Sequence, residues 1–297
     1  AVNLLALAGI IAGSSRLLAS IAGRPCTVAE VALLVTVLAG SPYTANVIWT
    51  GQSTLVVSCA LVWSWVLAYS GRSLLAGVFL ALASAKPQLV LLPALWLLLD
   101  RRWKVLFSAA GTAAALSAIP VVTTGIATFT QWLQATTAYM NETTVVLLLS
   151  HNLNLASVAK AFAWPGSAQL GAVFMAAGVG FTLIFYRRLR LKPDAFVIAL
   201  GVLVPLSLLS FYGRDYDLAA CGPTLALAMY VSRRSKADMA LGILLVGALN
   251  IPHRVVEKIE PTYLIYWRPV LLLATVIWLV SWTSSRSVRH RAAPLPA

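Results

Sequence analysis

Apolar runs separated by short polar connections, with most basic residues confined to alternate connections, leave this chain little choice but a helical bundle in a bilayer. The runs are Val2 to Gly13, Val28 to Gly40, Leu55 to Tyr69, Leu74 to Ala83, Leu89 to Leu99, Val105 to Val122, Leu170 to Tyr186, Ala195 to Leu209, Leu218 to Val231, Met239 to Leu249 and Val270 to Trp282. They predict an all-α, polytopic integral membrane protein with about eleven transmembrane helices and an outward-facing polar cavity, built as one domain over residues 1–297. Composition agrees, because charged residues make up 10% of the chain and hydrophobic ones 60%, whereas soluble domains carry about 25% charged residues.

The basic clusters set the expected orientation. Arg16 and Arg24, Arg72, the Arg101 to Lys104 group, the Arg187 to Lys192 group, the Arg233 to Lys236 group, and Arg286, Arg289 and Arg291 fall on one set of connections. Those connections are predicted to be cytoplasmic. Lys86, Lys160, Arg214, Arg254, Lys258 and Arg268 fall on the other set, with most of the unusual polar residues. The net charge of +13 therefore reads as loop charge facing lipid headgroups, and nucleic acid is excluded as a partner. The segment 123–169 is expected to be an external interfacial loop, and 284–297 a basic cytoplasmic tail. The same parity places Ala1 outside. A chain that starts in the cytoplasm would then carry a helix and a first external loop before Ala1, and the notable expectation is that both are missing.

Within the run from Leu74 to Leu99 sits Ser84-Ala85-Lys86-Pro87-Gln88. A lysine at mid-bilayer costs roughly 3 kcal/mol, and Pro87 disfavours a continuous helix through Ala85 and Lys86. Two short helices meeting at Lys86 are predicted, with the cation either held by an anionic partner or snorkelling to the interface. Three further clusters lie on the same side. Asn46 with Gly51-Gln52 fits a binding loop or a capped re-entrant turn. His151-Asn152-Leu153-Asn154 can orient a hydroxyl-rich ligand or satisfy loop backbone. The segment Ser210 to Asp217 brings Tyr212, Arg214, Asp215, Tyr216 and Asp217 between two apolar runs, where ionisable residues are functional candidates and aromatic rings fit either a belt or a sugar-stacking surface. Asp217, adjoining the apolar run at Leu218, is expected to point inward, and Asp215 to pair with Arg214. Cys26, Cys59 and Cys221 lack metal-ligand spacing and read as packing residues, so no metal site and no cofactor is expected.

The ordered motifs Gly51-Gln52, Gly71-Arg72, Ala76-Gly77, Lys86-Pro87-Gln88 and Arg101-Arg102-Trp103, followed by Asp215-Tyr216-Asp217 and Pro223, resemble the polyprenol-phosphate-sugar-dependent glycosyltransferases of family 87, over about Ser41 to Met229. The resemblance implies a C-type glycosyltransferase fold whose catalytic face lies outside the cytoplasm, in a bacterial plasma membrane. It implies transfer of a hexose, often mannose, from a polyprenyl-phosphate donor to a lipid or glycan acceptor. In such relatives a catalytic aspartate lies in the first external loop, which would place the main base upstream of Ala1. Chemically, the acceptor hydroxyl needs a base and the departing phosphate needs positive charge. Asp217 and Asp215 are the catalytic candidates, Lys86 and Arg214 the donor-phosphate ligands, and Asn46, Gln52, Gln88, His151, Asn152, Tyr212 and Tyr216 the substrate contacts.

Two other classes compete. A transporter or flippase of a polar or lipid-linked substrate would also use a charged cavity but should show discontinuous helices in corresponding halves, and a membrane scaffold would need no buried polar cluster. The charge alternation makes a direct prediction. In a cysteine-free background, Arg102→Cys, Arg188→Cys and Arg234→Cys react with an impermeant maleimide only from the cytoplasmic side, and His253→Cys only from outside. External labelling of Arg188→Cys overturns the topology.

Overall fold

The structure, a computed structural model, describes residues 1–142, 151–162, 164, 167–259 and 263–284. Part of the expected external loop, 143–150, and the tail from 285 onward lie outside the described residues. The described residues form fifteen α-helices and one 3-10 helix. In order these are α1 (Val2–Ala22), α2 (Val28–Ala39), α3 (Pro42–Thr50), α4 (Thr54–Tyr69), α5 (Ser73–Ala83), α6 (Pro87–Leu99), α7 (Trp103–Thr124), α8 (Ala127–Glu142), α9 (Leu155–Ala161), α10 (Ser167–Leu189) and α11 (Ala195–Ser210). The 3-10 helix Asp215–Ala220 leads into α12 (Gly222–Ser232), followed by α13 (Lys236–Leu249), α14 (His253–Ile259) and α15 (Tyr263–Ser284).

The all-helical membrane architecture holds, but the count of eleven spans does not carry over. Four described helices are long and apolar enough to cross a bilayer, or five if α2 and α3, bent by 55°, act as one span. The difference comes from polar breaks that end helices early. Lys86-Pro87 stops α5 at 11 residues and starts α6, which has 13. Helices of that length reach roughly 16 to 20 Å, well short of the ~30 Å hydrocarbon core. The predicted run from Leu218 is likewise split between the 3-10 turn and α12. The interval between α2 and α4 contains α3, begun by Ser41 and Pro42 and closed by Gly51 at φ 69°, so Asn46 stands within a short capped helix and Gln52 follows its left-handed end.

Helix α11 is the pillar of the bundle. Its sequence, AFVIALGVLVPLSLLS, is apolar around the whole circumference, and every residue from Ala195 to Ser210 is buried. A helix apolar on all faces must be wrapped on all sides. Here α4, α6, α10, α12 and α15 do so. Around it, close crossings rest on small residues, as expected where helices associate by packing within lipid. A Cβ on Gly9 or Gly13 of α1 would lie 2.4 Å from Cys59 Sγ or Val62 Cγ1 of α4. A Cβ on Gly77 of α5 would lie 2.5 Å from the Val105 carbonyl oxygen of α7.

Long-range contacts sort the helix ends into two groups. At one end Glu30, in a capping box with Thr27, accepts Arg24 at 2.7 Å and pairs with Arg233, joining the α1–α2 and α12–α13 connections. Arg102 pairs with Asp100 at 2.7 Å and covers the Phe196 ring at 4.8 Å, while Tyr186 donates to the Leu99 carbonyl. Lys192 donates to the Thr283 carbonyl there as well. The connections carrying Lys86 and Asp217 meet at the opposite end. The two-ended distribution of charge read from sequence is thus a property of the fold.

The Gly77 crossing generates a stability prediction. Gly77→Val meets backbone that cannot swing aside, and overpacking of this kind costs about 1–3 kcal/mol. It should lower the Tm in detergent, measured by size-exclusion thermostability. Gly111→Ala on the same helix pair has open space at its Cβ and should leave the Tm unchanged; equal behaviour of the two variants overturns the assignment.

Candidate functional site

Two buried charge networks share the end of the bundle opposite the basic clusters. The first is built on Lys86, which precedes α6 at the Pro87 break. Its Nζ donates to Asp217 Oδ1 and to Thr54 Oγ1, each at 2.5 Å. The Thr54 hydroxyl donates to the same Asp217 oxygen at 2.8 Å, and the Arg214 backbone N–H donates to Asp217 Oδ2 at 3.0 Å. Side-chain exposure is 11% for Lys86 and 1% for Asp217. The lysine therefore does not snorkel: it is clasped by an aspartate, with Tyr216 presenting its ring 4.8 Å from the ammonium.

The second network is built on Asp215. Its Oδ2 lies 2.8 Å from His151 Nδ1 and 3.7 Å from Arg268 Nη1, and its Oδ1 accepts the Tyr216 backbone N–H at 2.8 Å. Arg268 Nε donates to the Tyr43 hydroxyl at 2.6 Å, and that hydroxyl donates to the Leu249 carbonyl at 2.7 Å. Backbone bonds lock the approach: Asp215 N–H donates to the His151 carbonyl at 2.7 Å and Leu153 N–H to the Gly213 carbonyl at 2.8 Å. Asp215 lies in the connection between α11 and α12, outside the candidate spans. Burial pushes its carboxyl up. The His151 hydrogen bond and charge, the Arg268 guanidinium and the Tyr216 N–H pull it down and prevail, so it sits below its usual value as a carboxylate.

Asp217 is buried, but so is Asp215, and the expected partner of Asp215 is corrected. Arg214 Nε donates to the Tyr212 hydroxyl at 2.6 Å, and Asp215 is held by His151 and Arg268. The 3-10 geometry explains the difference. At three residues per turn, Asp215 and Asp217 diverge by about 240°, so each carboxylate reaches a separate buried cation. Asn152 forms a backbone bridge to Arg214 and buries its side-chain carbonyl without a hydrogen bond. Asn46 in α3, Gln52 just after it and Gln88 in the first turn of α6 are half-buried, and no side-chain hydrogen bond joins them to either network. Sequence reasoning missed Thr54, Tyr43 and the network role of Arg268. Only Arg268 carried a signal, as an arginine inside the otherwise apolar α15. Among the described residues no group of three or more His, Cys, Asp or Glu side chains converges in a manner suited to a metal.

The clasp predicts non-additive stability. Removing one member of a buried ion pair strands the other and costs about 3–5 kcal/mol, whereas replacing both by apolar side chains is often neutral. Lys86→Met and Asp217→Leu should each lower the Tm markedly, and the double variant should recover most of the loss. Additive losses in that cycle overturn the pairing.

A family model described as Glycosyltransferase family 87 matches residues 1–211 of the chain. No curated protein and no solved structure matches it. The matched region contains Tyr43, Thr54, Lys86 and His151 and stops just before the Arg214 to Asp217 turn.

Proposed function

The chain belongs to glycosyltransferase family 87 and is therefore a membrane glycosyltransferase, and from that premise we propose that it moves a hexose, mannose in the first instance, from a polyprenyl-phosphate donor to a lipid or glycan acceptor on the non-cytoplasmic side. The observation that carries this reading is the shortness of the helices that lead to the charge networks. Helices α4, α5, α6 and α11 run between the basic end and the polar end, and their 11 to 16 residues extend roughly 16 to 24 Å. With the basic end at one membrane face, helices of that length would bring the site within reach of the ~30 Å hydrocarbon core, where a lipid-linked phosphate is a more natural visitor than a soluble nucleotide sugar.

Charge supports the same reading. Among the described residues Lys86, Arg214 and Arg268 gather with Asp215 and Asp217 at this end of the bundle. Cationic side chains suit a phosphodiester donor, because positive charge stabilises the second charge that appears on phosphate as the glycosidic bond breaks. Lys86 and Arg214 are assigned to the phosphate, with Asp217 and Thr54 fixing the ammonium in place. Tyr212 and Tyr216 offer faces for sugar rings, and the buried Asn152 carbonyl is an acceptor suited to a sugar hydroxyl. Asn46, Gln52 and Gln88 are assigned to substrate contacts from α3, the residue pair after it and the first turn of α6.

The experiment is a donor comparison. Purified full-length protein in liposomes is given radiolabelled mannose on polyprenyl phosphate or on a nucleotide, with a membrane lipid extract as acceptor. Transfer from the polyprenyl donor alone is expected, with Arg214→Gln raising the donor KM at least tenfold. Transfer from the nucleotide donor alone overturns the proposal.

A further inference from the structure

Beside the second network lies a cavity that neither network fills. It is bounded by α2, α3, the 3-10 turn, α12, α13 and α15, with Leu38, Leu218, Leu225, Ala228, Leu249 and Leu272 in its apolar lining, and its volume is about 60 Å³. Tyr43 belongs to its wall and also takes the Arg268 Nε hydrogen bond, while Leu218 follows Asp217 directly. The cavity therefore adjoins the charged end. Its other side opens toward lipid. α2 packs on α1 and α12, and α13 on α12 and α15, and along the seam between α2 and α13 the lining residues Val37 and Val246 are only half-buried. Beyond them Leu33 and Val35 of α2 and Ile243 and Leu244 of α13 are exposed, so the cavity is continuous with an apolar face that meets the bilayer. One lining group does not suit such a cavity. Thr44 is 1% exposed, and its hydroxyl has no hydrogen-bond partner among the described residues. Buried polar groups are normally paired, and this one points to an acceptor that arrives with a ligand.

We infer that the sugar acceptor is an ester-linked acyl lipid, which enters through the seam between α2 and α13, lays one chain in this cavity and accepts the Thr44 hydroxyl on an ester carbonyl. This rests on the transferase reading above and narrows the acceptor named there from lipid or glycan to acyl lipid. Three properties select the occupant. The lining is apolar and faces the bilayer, which suits a hydrocarbon chain and not a free glycan. The volume is less than half of the about 150 Å³ that holds a benzene molecule, so a linear methylene segment fits where a sugar ring or a methyl-branched isoprenoid is crowded. The Thr44 hydroxyl needs an acceptor, and an ester supplies one where head and chain join, whereas a polyprenyl chain carries no polar atom beyond its phosphate. Placement agrees with the donor assignment. The donor phosphate is assigned to Lys86 and Arg214, and the cavity adjoins the network of Asp215, Arg268 and Tyr43 instead. Donor and acceptor thus reach the 3-10 turn from different networks.

The test begins without any donor. Full-length protein in liposomes is irradiated with phosphatidylglycerol bearing a diazirine in one acyl chain, or with a diazirine-bearing polyprenyl phosphate, and the labelled peptides are mapped by mass spectrometry. The acyl probe should label the peptides containing Val37 to Ser41 and Val246 to Asn250 more strongly than the lipid-facing α7. Ala228→Leu, which fills the cavity, should bring that labelling down to the α7 level. Labelling no stronger than on α7, labelling that Ala228→Leu does not change, or preferential labelling of these peptides by the polyprenyl probe overturns the inference. A second variant, Thr44→Val, keeps the shape and removes the hydroxyl. With whichever donor class supports wild-type transfer and a membrane lipid extract as acceptor, it should raise the acceptor KM about 3- to 10-fold, keep the donor KM within about twofold and raise the Tm. A raised Tm with an unchanged acceptor KM marks a cavity that takes only water, and overturns the inference. The radiolabelled product should pass from the organic to the aqueous phase on mild alkaline deacylation. A product that is aqueous from the outset, or stays organic after deacylation, overturns it as well. Wild-type failure with polyprenyl-phosphate mannose overturns the donor assignment instead, because the labelling is read without donor.

Discussion

A lysine in an apolar run requires a counter-charge, and the clasp of Lys86 by Asp217 and Thr54 is the constraint on which the polar end of this molecule depends. An ammonium and a carboxylate withdrawn from water each lose several kcal/mol of hydration, recovered only where geometry and hydrogen bonds are good. Here both conditions are met: the Asp217 oxygens accept from Lys86, Thr54 and the Arg214 N–H, and Tyr216 covers the ammonium. Because those groups come from the α5–α6 turn, the start of α4 and the 3-10 turn, satisfying the charge also fixes where three segments meet. Assembly of the bundle and assembly of the site are therefore the same event at this end.

At the other end charge does different work. The Arg24–Glu30–Arg233 cluster, Arg102 over Phe196 and Lys192 on the Thr283 carbonyl staple helix ends together. Several motif residues behind the family resemblance serve this architecture. Gly77 lets α5 approach α7, Gly51 and Gly71 adopt left-handed turns, and Arg102 closes the junction of α4, α6 and α11. A family signature in a membrane protein thus reports backbone approach as much as catalysis. In this chain the Lys86 motif and the Asp215-Tyr216-Asp217 turn are the parts that reach the charge networks.

The sequence by itself determined the membrane class, the two-ended distribution of charge, the helix break at Lys86 and the inward burial of Asp217. Each depends on something local: the apolarity of a run, the cost of a charge within it, the missing N–H of Pro87 or the neighbour that Leu218 supplies. The tertiary structure alone decided how many helices are long enough to cross a bilayer, because that depends on where each helix stops and which turns are recessed. It alone decided the partners as well. Thr54 meets Asp217 across 163 residues of chain, and Arg268 meets Tyr43 across 225. Asp215 could pair with the adjacent Arg214 on sequence grounds, yet the 3-10 turn aims it at His151 and Arg268. A pairing across helices depends on the angles at which their ends converge around α11, and those angles follow from packing that no local stretch of sequence contains.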